Sequence, residues 1–203
     1  MEKEKTKEKT KETRAINQKQ GIRNIGVIGS RSLPYTYRQK VGEVVDDLLS
    51  RNFNIASGGA IGADQFCLDQ LINTNNCAKS TLFSAWKNYK GFPAKVRQFA
   101  RQAQQQGTSI IWGPATGQEP QALIRFALLK RNERLVQACY GLVAFIMPNS
   151  RGSLFTISKA IKAHLPIVVF PVGCELPHYK TVKWVPLRCG GCWEGGFKAV
   201  FLR

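Results

Sequence analysis

Acidic side chains are scarce in this chain. Its 203 residues hold 13 Asp and Glu against 30 Lys and Arg, for a formal net charge of +17 and a pI near 10.0. So little negative charge favours anionic partners, above all nucleic acid; the other readings are a generically basic protein or a nucleotide enzyme. No apolar run is long enough to span a bilayer, which argues against a membrane partner. The N-terminus is charged from Glu2 onward and offers no apolar stretch for a secretory signal. With no export signal, the six cysteines read as reduced thiols of a cytoplasmic protein, or in part as metal ligands.

What is present is enough to fold. Hydrophobic residues make up 43% and aromatics 10%, which suits one α/β domain with short extensions. Residues 1–20 stand apart: Lys and Glu alternate with Thr and Gln, and no apolar residue recurs at helix or strand spacing. This segment reads as a disordered charged tail. It carries seven basic and four acidic residues, so about +14 of the +17 remains in the rest of the chain.

Residues 21–172 alternate between short apolar runs and helical patterns. Strands are expected near Ile22–Ile28, Asn54–Ser57, Ser80–Ser84, Ser109–Trp112, Leu142–Met147 and Ile167–Phe170. Helices are expected over the Val41–Leu49 pattern, from the 57–64 turn to about Asn73, and from Gln121 to Ala138, where Leu123, Ile124, Ala127, Leu128, Leu135 and Val136 make an apolar face. This rhythm predicts a Rossmann-like, doubly wound, mostly parallel sheet with helices on both faces.

Three strand-to-helix turns share one chemistry. Gly29-Ser30-Arg31 offers backbone N–H groups, a hydroxyl and a guanidinium. Ser57-Gly58-Gly59-Ala60-Ile61-Gly62-Ala63-Asp64 is a Gly-rich turn before a helix. Ser150-Arg151-Gly152-Ser153-Leu154-Phe155-Thr156 is the third. Such turns suit a phosphate; glycines after a strand also simply let the chain turn and the helix pack closely. In a doubly wound sheet all three fall on the carboxyl edge, where ligands bind. The expected phosphate and nucleic-acid contacts are Gly29, Ser30, Arg31, Ser57, Gly58, Gly59, Gly62, Ser150, Arg151, Gly152, Ser153 and Thr156. The cluster Lys130, Arg131 and Asn132 reaches toward the same edge. Asp64, the only acidic side chain in these motifs, is expected to organise its turn. Between Trp86 and Gln106, basic residues alternate with aromatics. Val96, Phe99 and Ala103 read as core, whereas Trp86 and Tyr89, in the preceding loop, suit stacking on single-stranded nucleic acid.

Residues 173–203 lose the βα rhythm and read as a Cys-containing extension packed on the domain. Phe197, Val200, Phe201 and Leu202 suggest a last strand. Cys174, His178, Cys189 and Cys192 could together make a tetrahedral zinc site, with reduced cysteines as the default; no other cofactor is expected.

The ordered set of Gly29-Ser30-Arg31, Ser57 to Asp64, Arg131-Asn132 and Ser150 to Thr156 resembles the Rossmann-like domain of the DNA-processing protein A (DprA, or Smf) family, in the SLOG superfamily. The resemblance spans roughly residues 22 to 172. Gly62-Ala63-Asp64 stands where that family usually has Gly-Ile-Asp, a form shared with small stand-alone YspA-like proteins. The resemblance implies binding of single-stranded DNA, loading of a RecA-type recombinase during DNA uptake and recombination, and formation of a homodimer. Two alternatives come from other SLOG branches: a nucleotide-binding sensor and a nucleotide-hydrolysing enzyme. The hydrolase needs an acid/base carboxylate at the sugar, and none lies between Arg151 and Lys159, so the expectation leans away from catalysis.

Overall fold

The structure is a computed structural model and describes residues 23–202. The expected tail, and Ile22 of the first expected strand, lie outside the described residues.

Eight strands form one sheet in the order β4-β3-β2-β1-β5-β6-β8-β7. They are β1 (Asn24–Gly29), β2 (Asn54–Ser57), β3 (Ser80–Phe83), β4 (Ser109–Ile111), β5 (Gly141–Ile146), β6 (Ile167–Pro171), β7 (Val182–Pro186) and β8 (Phe197–Phe201). The first six run parallel, and β8 is antiparallel to both β6 and β7. Five helices cover the faces: α1 (Arg38–Ser50), α2 (Ala63–Asn73), α3 (Ala94–Gln105), α4 (Gln121–Ala138) and α5 (Arg151–Lys162). No helix among the described residues is long and apolar enough to cross a membrane.

The doubly wound expectation holds, and strand alternation explains it. Successive side chains of a strand point to opposite faces. Val27, Ile55, Val143 and Phe145 therefore join α1, α2 and α3 in one core cluster. Ile28, Ala56, Leu142, Ala144 and Ile146 join α4 and α5 in the other. Both faces of the central strands are buried, which is why they read as nearly continuous apolar runs. Strand order reverses between β1 and β5, so the crevice above their carboxyl ends is the topological switch point.

Two expectations need correction. The apolar face drawn along all of α4 is not buried throughout: Leu123 is 54% exposed. Only Arg131, Leu135 and Val136 are buried. The helix has 18 residues and is about 27 Å long, and all three buried residues lie in its second half. In the chain's last part, β7 went unexpected beside the anticipated β8. It is an edge strand with one buried residue, Val182, and ends on Pro186, so it carries little of the periodicity that marks a central strand.

Candidate nucleic-acid interface

The second turn is built around a buried carboxylate. Asp64 is 4% exposed and sits in the first turn of α2. Its Oδ1 accepts the Gly29 N–H at 3.2 Å. Its Oδ2 accepts the N–H groups of Gly58 at 3.1 Å and Ala60 at 3.3 Å. One side chain thus joins the end of β1 to the turn after β2. Burial pushes the Asp64 carboxyl up, opposed by the Arg131 charge and these three amides.

Two glycines of the turn are required by close approach. A Cβ on Gly62 would run into the Ser30 carbonyl, and its φ of +83° strains any L side chain. A Cβ on Gly58 would occupy the place of the Arg131 guanidinium. That guanidinium comes from α4, so the α4 helix is fitted directly onto the turn.

Arg131 is 7% exposed and its side chain makes no hydrogen bond among the described residues; its Nε is buried and unpartnered, as is the Ser57 hydroxyl. Burial lowers its proton affinity, Asp64 opposes that, and the positive charges of Arg31 and Arg134 add to it. A buried cation with unused donors beside two other guanidiniums is arranged for an anion.

A cavity of about 210 Å³ opens at this point. Arg31, Arg131, Lys90 and Arg97 line it together with Gly58 and Gly59, and no carboxylate does. The Arg97 guanidinium is held by donating from Nε to the Phe92 carbonyl at 3.0 Å. Phe92 in turn packs where a Gly59 side chain would lie.

The structure brings the expected residues together unevenly. Arg31, Gly58, Gly59 and Arg131 meet at the cavity. Gly29 and Ser30 support it from behind: the Ser30 N–H donates to Phe145 O at 2.8 Å, and its hydroxyl accepts the Ser32 N–H at 3.2 Å. Lys130 is drawn off to Glu133 at 2.8 Å, and Asn132 is half-buried.

The third turn lies on the same edge but outside the cavity. Its Ser150 hydroxyl accepts the Met147 N–H at 3.0 Å. The buried Thr156 hydroxyl donates to the Gly152 carbonyl at 2.9 Å. Ser153 is buried, and Arg151 and Gly152 are exposed.

Lys90 and Arg97 were not among the expected site residues. The interleaving of basic and aromatic residues was the signal, but nothing local shows that the loop after β3 folds back over the second turn. Within that stretch Trp86 is 9% exposed and forms part of the cavity wall. Tyr89 packs edge-on against Trp112, with ring centroids 5.2 Å apart.

The four residues expected for zinc are spread over the sheet. Among the described residues no three His, Cys, Asp or Glu side chains gather where a metal could be held. Cys174 packs with the α4–α5 core and Cys192 with the α1–α3 core, on opposite faces. Cys189 is exposed.

The family model for DNA recombination-mediator protein A matches residues 14–185. No curated protein sequence matches the chain. Two solved structures share the fold. DNA processing protein A from Helicobacter pylori, which binds single-stranded DNA, has a TM-score of 0.56 and 20% identity over 74% of this chain and 66% of that one. DprA from Streptococcus pneumoniae has a TM-score of 0.59 and 21% identity over 77% of this chain and 52% of that one. The chain thus spans just under two thirds of the first relative and about half of the second. With the family model covering most of its length, both strands of the switch point included, the chain belongs to the DNA recombination-mediator protein A (DprA) family.

Proposed function

We propose that this protein binds single-stranded DNA through its sugar–phosphate backbone, at the cavity over the second turn, and acts in DNA processing and recombination. The observation that carries the reading is Arg131: a buried guanidinium with no hydrogen bond of its own, facing a cavity that also holds Arg31, Lys90 and Arg97. The Asp64 charge lies behind it, but donors buried without a hydrogen bond are costly unless an acceptor such as a phosphate oxygen completes them. The known activity of the Helicobacter pylori relative supports the choice of single strands. A net charge of +17 exceeds what one small nucleotide needs and suits a polyanion. Loading of a RecA-type recombinase and homodimer formation belong to the same proposal by family.

The nucleotide-hydrolase reading has less support. No carboxylate lines the cavity, and Asp64 behind it is engaged with three amides.

The test is fluorescence anisotropy with a labelled single-stranded oligonucleotide at several salt concentrations. Affinity should fall steeply between about 50 and 200 mM salt as counterions are released. Arg31→Ala should weaken binding about tenfold and reduce the salt slope by about 1. Its melting temperature should not change, because Arg31 is exposed. An unmodified protein that fails to retain the oligonucleotide at low salt would refute the proposal, and stabilisation by a mononucleotide alone would favour the sensor reading.

A further inference from the structure

The groove does not stop at Arg97. Trp86, Lys90 and Arg97 also wall a second, larger hollow of about 470 Å³, so the two spaces adjoin at these three side chains. Its far wall is the loop after β4. The Glu119 carboxylate accepts the N–H groups of Thr116 at 2.6 Å and Gly117 at 2.7 Å, and the Thr116 hydroxyl at 3.0 Å. The loop is therefore fixed, and its one carboxylate is spent on its own backbone. Gly117, with φ at +84°, sits against the Trp86 indole where any side chain would collide. The Lys87 N–H donates to Ala115 O at 3.0 Å, which ties the two walls together.

The lining chemistry differs between the two spaces. The smaller one presents guanidiniums and an ammonium. The larger one adds the side-chain amides of Asn88 and Gln118 and the hydroxyl of Thr116. Asn88 accepts the Lys90 N–H at 2.9 Å through its oxygen, which leaves its NH2 group as a donor. The Gln118 side chain makes no hydrogen bond among the described residues and keeps both donor and acceptor. Side-chain amides are the groups that read base edges, and unpaired bases of a single strand can be splayed into such a hollow. A strand held by its phosphate in the smaller space must place its sugar and base beyond it, and this hollow adjoins it.

We infer that the larger hollow receives a nucleobase of the bound single strand, read by Asn88 and Gln118. The inference rests on the single-strand reading above.

The experiment compares a base-bearing oligonucleotide with an abasic strand of the same length and backbone. The unmodified protein should bind the base-bearing strand at least about fivefold more tightly. The double variant Asn88→Ser, Gln118→Ala retains a capping oxygen at position 88. It should lose most of that ratio and keep the abasic affinity. Asn88→Ser alone and Gln118→Ala alone should each lose part of it, with melting temperatures reporting the fold. Equal binding of both strands by the unmodified protein would overturn the base hollow while the backbone reading stands. So would an undiminished ratio in folded variants. Failure to bind either strand at low salt would overturn both.

Discussion

The second and third βα turns carry similar residues and have different fates. Both follow a buried parallel strand, both mix glycine with serine, and both open a helix. The second turn is determined from several sides. Asp64 gathers three amides, Gly62 lies against the Ser30 carbonyl, and Gly58 carries the Arg131 guanidinium. The third is organised locally by Ser150 and Thr156, and a side chain added at Gly152 would meet nothing. A glycine-serine turn on the ligand edge thus becomes a candidate site through what distant elements deliver to it.

The strongest way to break this contrast is to remove the organiser of each turn. Asp64→Ala leaves the buried Arg131 uncompensated and three amides without their acceptor. It should cost about 3–5 kcal/mol, or prevent folding. Ser150→Ala, its counterpart, removes one hydrogen bond and should cost about 1 kcal/mol. Urea denaturation of both reads the difference, and equal losses would mean that the two turns are held alike.

Gly62→Ala comes next. The added Cβ meets backbone at a positive φ, so a loss of about 2–3 kcal/mol is expected. The same measurement checks it, and a loss under about 0.5 kcal/mol would mean that the turn relaxes freely.

Affinity should separate the turns as well. Arg97→Ala removes a cavity cation held by the Phe92 carbonyl and should weaken oligonucleotide binding about tenfold. Arg151→Ala, on the exposed third turn, should change it less than about twofold. A larger effect at Arg151 would extend the interface to the third turn. The smallest effect belongs to Gly152→Ala. With open space around it and a position in the first turn of α5, it should be neutral or stabilise by up to about 1 kcal/mol. Its thermal unfolding checks this.

Much of the fold was legible in the sequence because local pattern and tertiary environment agree in the central strands. Asn54–Ser57 and Gln121–Ala138 were readable to the residue. The exposure of Leu123 was not, because helical periodicity describes a face and says nothing of where its support ends. β7 was missed because an edge strand is buried too little to imprint its sequence. The separation of Cys174 from Cys192 was not legible for a related reason: chain spacing is blind to which face of a sheet each cysteine joins.

The sequence by itself determined the elements, the basic excess and the glycine turns at strand ends, because propensity, alternation and composition act within a few residues. Only the tertiary structure decided which turn has a cavity. Arg131 reaches Gly58 across 73 positions of chain, and Lys90 and Arg97 arrive from the loop and helix after β3. Those encounters follow from sheet order and helix packing, which no local pattern encodes.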